Sequence, residues 1–126
     1  MFSDTGQTMV AAGTPDLGAG VTVLQGIAME IVITLLLSAA FLGTAGDGNT
    51  SRLGGLSIGL TVTAGILAAG PISGAAMNPA RAFGPALASG HWNHHLAYWI
   101  GPLMGGVLAG LVCGRWLMKE SGERAG

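Results

Sequence analysis

Charged side chains are so widely spaced in this chain that long segments of it are suited to hydrocarbon rather than water. Residues 17–46 contain a single charge, Glu30, and neither 53–80 nor 82–114 contains any Asp, Glu, Lys or Arg. A helix needs roughly 20 mostly apolar residues to cross a bilayer. The sequence therefore predicts an all-α membrane protein with three transmembrane helices. The predicted spans lie at about 21–43, 53–69 and 96–117.

The composition argues against several other classes of protein. Only 9% of the 126 residues are charged, whereas a soluble domain carries about 25%, so a soluble enzyme domain is disfavoured. Five Lys and Arg residues and a net charge of −1 are too little positive charge to follow a nucleic-acid backbone. The single cysteine, Cys113, excludes a disulfide framework and a zinc site of the four-ligand kind. No catalytic constellation or phosphate loop occurs in a plausible context, so we expect neither enzyme activity nor a cofactor.

Small residues recur at four-residue spacing within the predicted spans, as at Gly101 and Gly105. Such residues allow helix backbones to approach closely in a membrane, where hydrophobicity does not drive helices together. The spacing therefore predicts a closely packed helical bundle.

The distribution of Lys and Arg predicts the orientation, because cytoplasmic loops carry an excess of both. Residues 1–20 contain neither, whereas the first connection holds Arg52 and the C-terminal region holds three basic residues. We therefore expect residues 1–20 to be extracytoplasmic and residues 120–126 to form a cytoplasmic tail of a multi-pass protein in the plasma or inner membrane. Residues 1–20 also lack a signal peptide, so we expect the natural chain to extend further at its N-terminus.

The connection between the second and third spans, about residues 70–88, is too apolar for a loop in water. Non-helical backbone survives at membrane depth only where protein or a water-filled cavity covers it, so this segment is a candidate re-entrant loop. Asn78 and Pro79 predict the start of a half-helix over about 80–87, because Asn favours the N-cap and Pro the first helical position.

The half-helix would present polar groups in apolar surroundings. Its N-terminus carries a partial positive charge, and capping would leave the Asn78 NH2 group as a fixed donor. The carbonyl groups of Gly74, Ala75 and Ala76 are candidate acceptors, while Arg81 adds donors and a full charge. The alternative is an ordinary turn followed by a short interfacial helix, with Arg81 extending to the membrane surface.

The sequence Ser-Gly-Ala-Ala-Met-Asn-Pro-Ala-Arg-Ala-Phe-Gly-Pro-Ala-Leu at 73–87 resembles the second Asn-Pro-Ala motif of the aquaporin (major intrinsic protein) family. Tyr-Trp-Ile-Gly-Pro at 98–102 and Glu30 fit the same family. The resemblance covers about 21–119 and implies the second of two inverted repeats, with three transmembrane helices and one re-entrant half-helix. The first three spans and the first motif of the family have no counterpart in this sequence. The motif itself comprises Asn78, Pro79 and Ala80.

The resemblance also implies roles for individual residues. Asn78 would orient a single file of water, and Arg81 would be the arginine of the outer selectivity constriction. Ile66 and Ala75 match two further constriction positions and would make it wide and weakly polar, a pattern that resembles tonoplast aquaporins and the ammonia-permeable animal type. Glycerol-facilitating members usually carry Asp where this chain has Ala82, which disfavours glycerol.

Glu30 lies within a predicted span, where an ionised group is costly. The resemblance implies that its carboxylate accepts hydrogen bonds from the backbone of the re-entrant loop. The alternative is a carboxylate at a helix end, near the lipid headgroups.

Three histidines, His91, His94 and His95, lie close together in the sequence. They could form a metal site or a pH sensor, or they could belong to a membrane-surface loop with the interfacial aromatic residue Trp92. No carboxylate or thiol lies nearby in the sequence, so we expect no metal site. The resemblance implies a structural hydrogen-bonding role for His95.

Together, these residues and the resemblance predict a passive channel for water and other small neutral solutes, such as ammonia and hydrogen peroxide. Its partners would be those solutes, the lipid bilayer and, in a completed channel, further copies of the chain in a homotetramer. Two alternatives stay open. One is a non-conducting membrane fragment or helical interaction subunit, and the less favoured one is a glycerol facilitator.

Overall fold

The described part of the chain is entirely helical apart from its connections. A computed structural model describes residues 13–45 and 51–124, which contain four helices and no strand. Three of the helices are long and apolar enough to cross a membrane, which confirms the predicted all-α membrane fold. The helices are α1 (Val23–Ala45), α2 (Ser51–Ser73), α3 (Pro79–Ser89) and α4 (Ala97–Arg124).

Helix α1 is the centre of the packing, because it contacts both α2 and α4, while α3 packs on α4. The approach of α4 to α1 depends on two glycines. A Cβ atom at Gly101 would lie 2.5 Å from the Cβ of Glu30, and one at Gly105 would lie 2.5 Å from the carbonyl oxygen of Ile31. The close packing predicted from the spacing of Gly101 and Gly105 is therefore confirmed.

The outward faces of the long helices are strongly apolar. Leu67 on α2 is 76% exposed and Val112 on α4 is 65% exposed. In water these side chains would be costly to expose, whereas in hydrocarbon they contact lipid or other apolar protein surfaces. The exposed faces are thus those of membrane-spanning helices.

Two predicted boundaries differ from the observed ones. Helix α2 continues through Pro71 to Ser73, so the non-helical part of the re-entrant segment begins at Gly74 rather than at residue 70. A proline in the last turn removes one backbone donor but keeps a helical φ. The N–H of Gly74 then donates to the carbonyl of Gly70 over 3.0 Å, and a φ of +77° at Gly74 ends the helix.

The half-helix α3 is also longer than the predicted 80–87. It ends at Ser89 because Gly90 adopts a left-handed φ of 73° and donates its N–H to the carbonyl of Ala86. Helix α4 itself continues to Arg124, while its part that is suited to a membrane is Ala97–Arg115. Residues 1–12 and the side chains of Arg52, Lys119 and Arg124, on which the expected orientation rests, lie outside the described residues.

Candidate functional site

The carboxylate of Glu30 is the polar centre of the fold. Glu30 lies on α1, is fully buried, and receives three hydrogen bonds, one from the last residue of α2 and two from the loop that follows it. The Ser73 hydroxyl donates to Oε1 over 2.6 Å, the Ala76 N–H donates to Oε1 over 2.9 Å, and the Met77 N–H donates to Oε2 over 2.7 Å. A carboxylate acceptor makes such bonds shorter and stronger than neutral ones. Glu30 thus holds the loop from inside the bundle.

The loop between α2 and α3 needs this support because its backbone is unusual. Ala75 and Met77 both have positive φ values, 50° and 54°, in the left-handed region that non-glycine residues rarely adopt. Such conformations persist only where surrounding contacts over-determine them. Besides the bonds to Glu30, both side chains pack with Ile33 and Ala69 in a buried cluster. The loop is therefore held by polar and apolar contacts at once.

Gly74 sits where the loop meets the chain segment that precedes α1. Its φ is +77°, and a Cβ atom there would lie 2.8 Å from the Cβ of Pro15 and 3.0 Å from the N atom of Asp16. Only glycine combines this conformation with so close an approach. The segment before α1 thus lies directly on the re-entrant loop.

The start of α3 is confirmed as the sequence predicts it. Asn78 is the N-cap, with an extended backbone (φ −161°, ψ 123°), and Pro79 follows in the first turn. The Asn78 Oδ1 accepts a 2.8 Å hydrogen bond from the N–H of Ala80. Because the oxygen accepts the capping hydrogen bond and the residue is exposed, the NH2 group of Asn78 is the part of this side chain that can donate to a solute. Asn78 and Ala80 also line an open hollow shared with Phe83 and Trp99.

Arg81 reaches back from α3 to the loop. Its guanidinium Nη1 donates to the carbonyl oxygen of Ala75 over 2.7 Å. The Ala75 carbonyl oxygen therefore accepts one hydrogen bond from Arg81 and keeps a second lone pair. The Ala75 methyl group is fully buried. Because the residue itself is exposed, the charge of Arg81 lies at the surface of this bundle, with its position fixed by one backbone oxygen.

Not all of the predicted site residues join this network. Ile66 is 42% exposed on α2 and stands apart from the hydrogen bonds around Glu30 and Arg81. Ala76 is fully buried against Ala82 and Tyr98, so its contributions to the loop are its backbone groups. The structure thus brings Glu30, the loop and Arg81 together and leaves Ile66 on an open helix face.

His95 makes local contacts within the connection from α3 to α4. Its Nε2 accepts a 3.1 Å hydrogen bond from the Trp99 indole N–H, and its ring lies edge-on to Trp92 at 4.8 Å between centroids. No group of metal-ligating side chains suited to an ion occurs in the described residues. These contacts tie the connection to the first turn of α4.

The other two histidines have a partner that sequence reasoning missed. Asp16 Oδ2 lies 2.7 Å from His91 Nε2, and Asp16 Oδ1 lies 3.1 Å from His94 Nδ1. The residues are more than 70 positions apart in sequence, so spacing along the chain gave no signal for this contact. Burial raises the pKa of the Asp16 carboxyl, but hydrogen bonds from His94, His91 and the Leu17 N–H outweigh that effect and hold the pKa below its ordinary value.

The sequence matches a protein family and several curated proteins. The family model for the major intrinsic protein matches residues 2–113. Aquaporin TIP2-1 of Arabidopsis thaliana is 48% identical over 115 residues, covering 89% of this chain and 46% of that protein. Aquaporin TIP4-4 of Zea mays is 51% identical over 109 residues, covering 85% of this chain and 43% of that protein. This chain therefore spans less than half the length of these curated relatives.

The described residues thus contain three helices that are long and apolar enough to cross a membrane, and a half-helix that begins in a buried loop. The match over residues 2–113 makes the assignment specific. The chain belongs to the major intrinsic protein family.

We expect Glu30→Gln to destabilise the fold by about 1–3 kcal/mol or more, because the amide NH2 group would face backbone donors and leave a buried donor unsatisfied. Thermal unfolding of the chain in detergent, followed by circular dichroism, measures the effect.

Thr34→Val is the matched control, one turn further along α1. The Thr34 hydroxyl is buried, and the described residues offer it no hydrogen-bond partner. This substitution should leave the unfolding midpoint unchanged or raise it. Equal losses in the two variants would contradict a special role for the Glu30 carboxylate.

Proposed function

We propose that residues 21–119 are the second of two inverted repeats in a passive channel for water and other small neutral solutes. This proposal rests on the hydrogen bonds that the Glu30 carboxylate accepts from the backbone N–H groups of Ala76 and Met77. These bonds hold non-helical backbone, with its polar N–H and carbonyl groups, and a helix N-terminus within a bundle that is otherwise apolar. Polar groups are expensive at this depth, and they are found where solutes cross.

In the proposed channel, the described groups divide into donors and acceptors. The NH2 group of Asn78 donates to a passing water, and the carbonyl groups of Gly74 and Ala76 accept from it. The N-terminus of α3 carries partial positive charge, so the same end of the helix repels cations. A water molecule can exchange its hydrogen bonds along such a path, whereas an ion would lose its hydration shell without replacement.

The proposed constriction combines Arg81 with two weakly polar walls. Ile66 offers no hydrogen bond, and its 42% exposure leaves it free to face a lumen completed by the other repeat. Ala75 adds no side chain, because its methyl group is fully buried, and it contributes a carbonyl that orients Arg81. Such a constriction favours small neutral solutes, including ammonia and hydrogen peroxide. The TIP names of the relatives agree with the resemblance to tonoplast aquaporins.

The surroundings of the channel are part of the same proposal. The exposed apolar faces of α2 and α4 fit contact with lipid, with the first repeat and with further copies in a homotetramer. The basic residues of the C-terminal region support a cytoplasmic C-terminus. A passive channel needs neither a cofactor nor catalytic groups.

The direct test is a chimera of Aquaporin TIP2-1 of Arabidopsis thaliana in which this chain replaces the matched 115 residues. We expect proteoliposomes with the chimera to shrink faster in an osmotic gradient than empty liposomes, with a low activation energy, in stopped-flow light scattering. A chimera that folds and inserts but conducts no solute would favour a non-conducting helical subunit. Selective glycerol flux would favour a glycerol facilitator.

Arg81→Ala in this chimera should admit cations more than it changes water flux. Cation flux should rise by at least about tenfold, because a unit charge roughly 4 Å from a passing cation repels it by about 4 kcal/mol at an effective dielectric constant near 20. Ion-selective electrodes and light scattering on the same vesicles give the two fluxes. Arg115→Ala, which removes an exposed charge of α4, is the control and should change neither. Unaltered selectivity in Arg81→Ala would place this side chain away from the solute path.

Ile66→His should raise the ratio of water flux to ammonia flux, because histidine narrows the constriction and adds a donor that water satisfies readily. The ratio is measured by stopped-flow light scattering and by the pH change inside the same vesicles. Leu67→His is the matched control on the next position of α2, which is 76% exposed and points about 100° away around the helix. If both variants keep the parent ratio, Ile66 does not line the constriction.

A further inference from the structure

We propose that residues 13–18 form a strap across the re-entrant loop, and that this strap tightens when His91 and His94 take up protons. The strap joins two parts of the site from outside the membrane-spanning helices. It contacts the end of α2 and the loop on one side, and the region from the end of α3 to the start of α4 on the other. Neither contact is part of the Glu30 network.

The strap lies against the last turn of α2 and against the loop. The N–H of Gly18 donates to the carbonyl of Ile72 over 2.9 Å. Pro15, which is buried, lies so close to Gly74 that a Cβ atom there would overlap with it. The residue after Gly74 is Ala75, whose carbonyl accepts from Arg81. The strap thus fixes the backbone on which the position of Arg81 depends.

On its other side, the strap is bound through side chains to the region that follows α3. Asp16 uses one carboxylate oxygen for His91 and the other for His94, at 2.7 Å and 3.1 Å. Nearby, the hydroxyls of Thr14 and Ser89 lie 3.0 Å apart. A single carboxylate therefore connects the strap to two points on the connection that follows α3.

Protonation of the histidines changes the strength of their contacts with Asp16. A neutral imidazole can donate from only one of its two ring nitrogens, so each histidine must hold one tautomer to reach Asp16. A protonated imidazole donates from both nitrogens and adds a charge, and charge-assisted bonds are about twice as strong as neutral ones. Histidine side chains ordinarily change charge between pH 5 and 8. Protonation of the two rings therefore turns two neutral contacts into ion pairs.

Asp16 stays ionised throughout that range. Its pKa is held below the ordinary carboxyl value by His94, His91 and the Leu17 N–H, which outweigh desolvation. A depressed pKa means that the contribution of Asp16 is fully present above its unfolded pKa and is lost only as the pH falls through the lowered value. The contacts of Asp16 with the two histidines are thus strongest where the imidazoles are protonated and weaker where they are neutral.

The other ionisable groups around Asp16, His91 and His94 have different partners. From the same connection, His95 is bonded to Trp99. From α3, Arg81 is bonded to Ala75, and from α1, Glu30 is bonded to the loop. From α4, Tyr98 carries a phenol, which stays neutral between pH 5 and 8. Among the described residues, His91 and His94 are therefore the ionisable groups that are hydrogen-bonded to Asp16.

Hydrogen exchange of the full chain in lipid nanodiscs tests the strap without measuring transport. The readout is the protection factor of the Gly18 amide, the ratio of intrinsic to observed exchange rates, which removes the ordinary pH dependence of exchange. We expect it to be about two- to tenfold higher at pH 5.5 than at pH 8, from two exposed ion pairs of ordinary strength. An equal factor at both pH values would overturn the proposal.

Three variants assign the effect. In His91→Gln/His94→Gln the protection factor should be the same at both pH values, and in Asp16→Asn it should be low at both. His95→Gln, which keeps an acceptor for Trp99, is the matched control and should retain the parent difference. A pH difference that survives in the double variant, or that is lost in His95→Gln, would overturn the assignment. This measurement does not depend on the proposed function, so the strap and the proposed channel can each fail independently.

Discussion

A buried carboxylate bound by three donors is the interaction on which the rest of this structure depends. An ionised group inside a membrane bundle is costly unless it is paired and hydrogen-bonded. Glu30 receives its bonds from Ser73, Ala76 and Met77. These hydrogen bonds offset the cost of burying the charge, and they also give the backbone N–H groups of the loop an acceptor. The loop in turn needs Glu30, because its backbone leaves helical geometry within the bundle. Each of the two would be unfavourable in this position without the other.

The path of the helices follows from this arrangement. Gly101 lies over the Cβ of Glu30, so α4 can close against α1 at the level of the carboxylate and exclude water from it. Tyr98, one turn earlier on α4, packs on Ala76 and Ala82, which join the loop to α3. The half-helix therefore starts from a platform made by α1, the loop and α4. Its N-cap and the reach of Arg81 to Ala75 are then local consequences of sequence.

The parts of the fold that could be predicted from the sequence are those with local or compositional causes. Charge-free stretches predict the spans because hydrocarbon length fixes helix length, and Asn78 with Pro79 predicts the start of α3 because capping involves neighbouring residues. The extension of α2 through Pro71 was missed because a proline near a helix end is compatible with both outcomes. The burial of the Ala75 methyl group depends on φ at one residue, which no pattern encodes. The pairing of Asp16 with His91 and His94 depends on tertiary structure alone.

The anchoring of the loop also has an evolutionary consequence. Two of the three donors to Glu30 are main-chain groups, which every residue except proline supplies. Positions 76 and 77 can therefore drift among residues that fit the available volume without losing the anchor. Position 30 has no such freedom, since an aspartate is one methylene shorter and a glutamine replaces an acceptor with a donor. Selection on this loop would act most strongly on a residue more than forty positions away from it in the sequence.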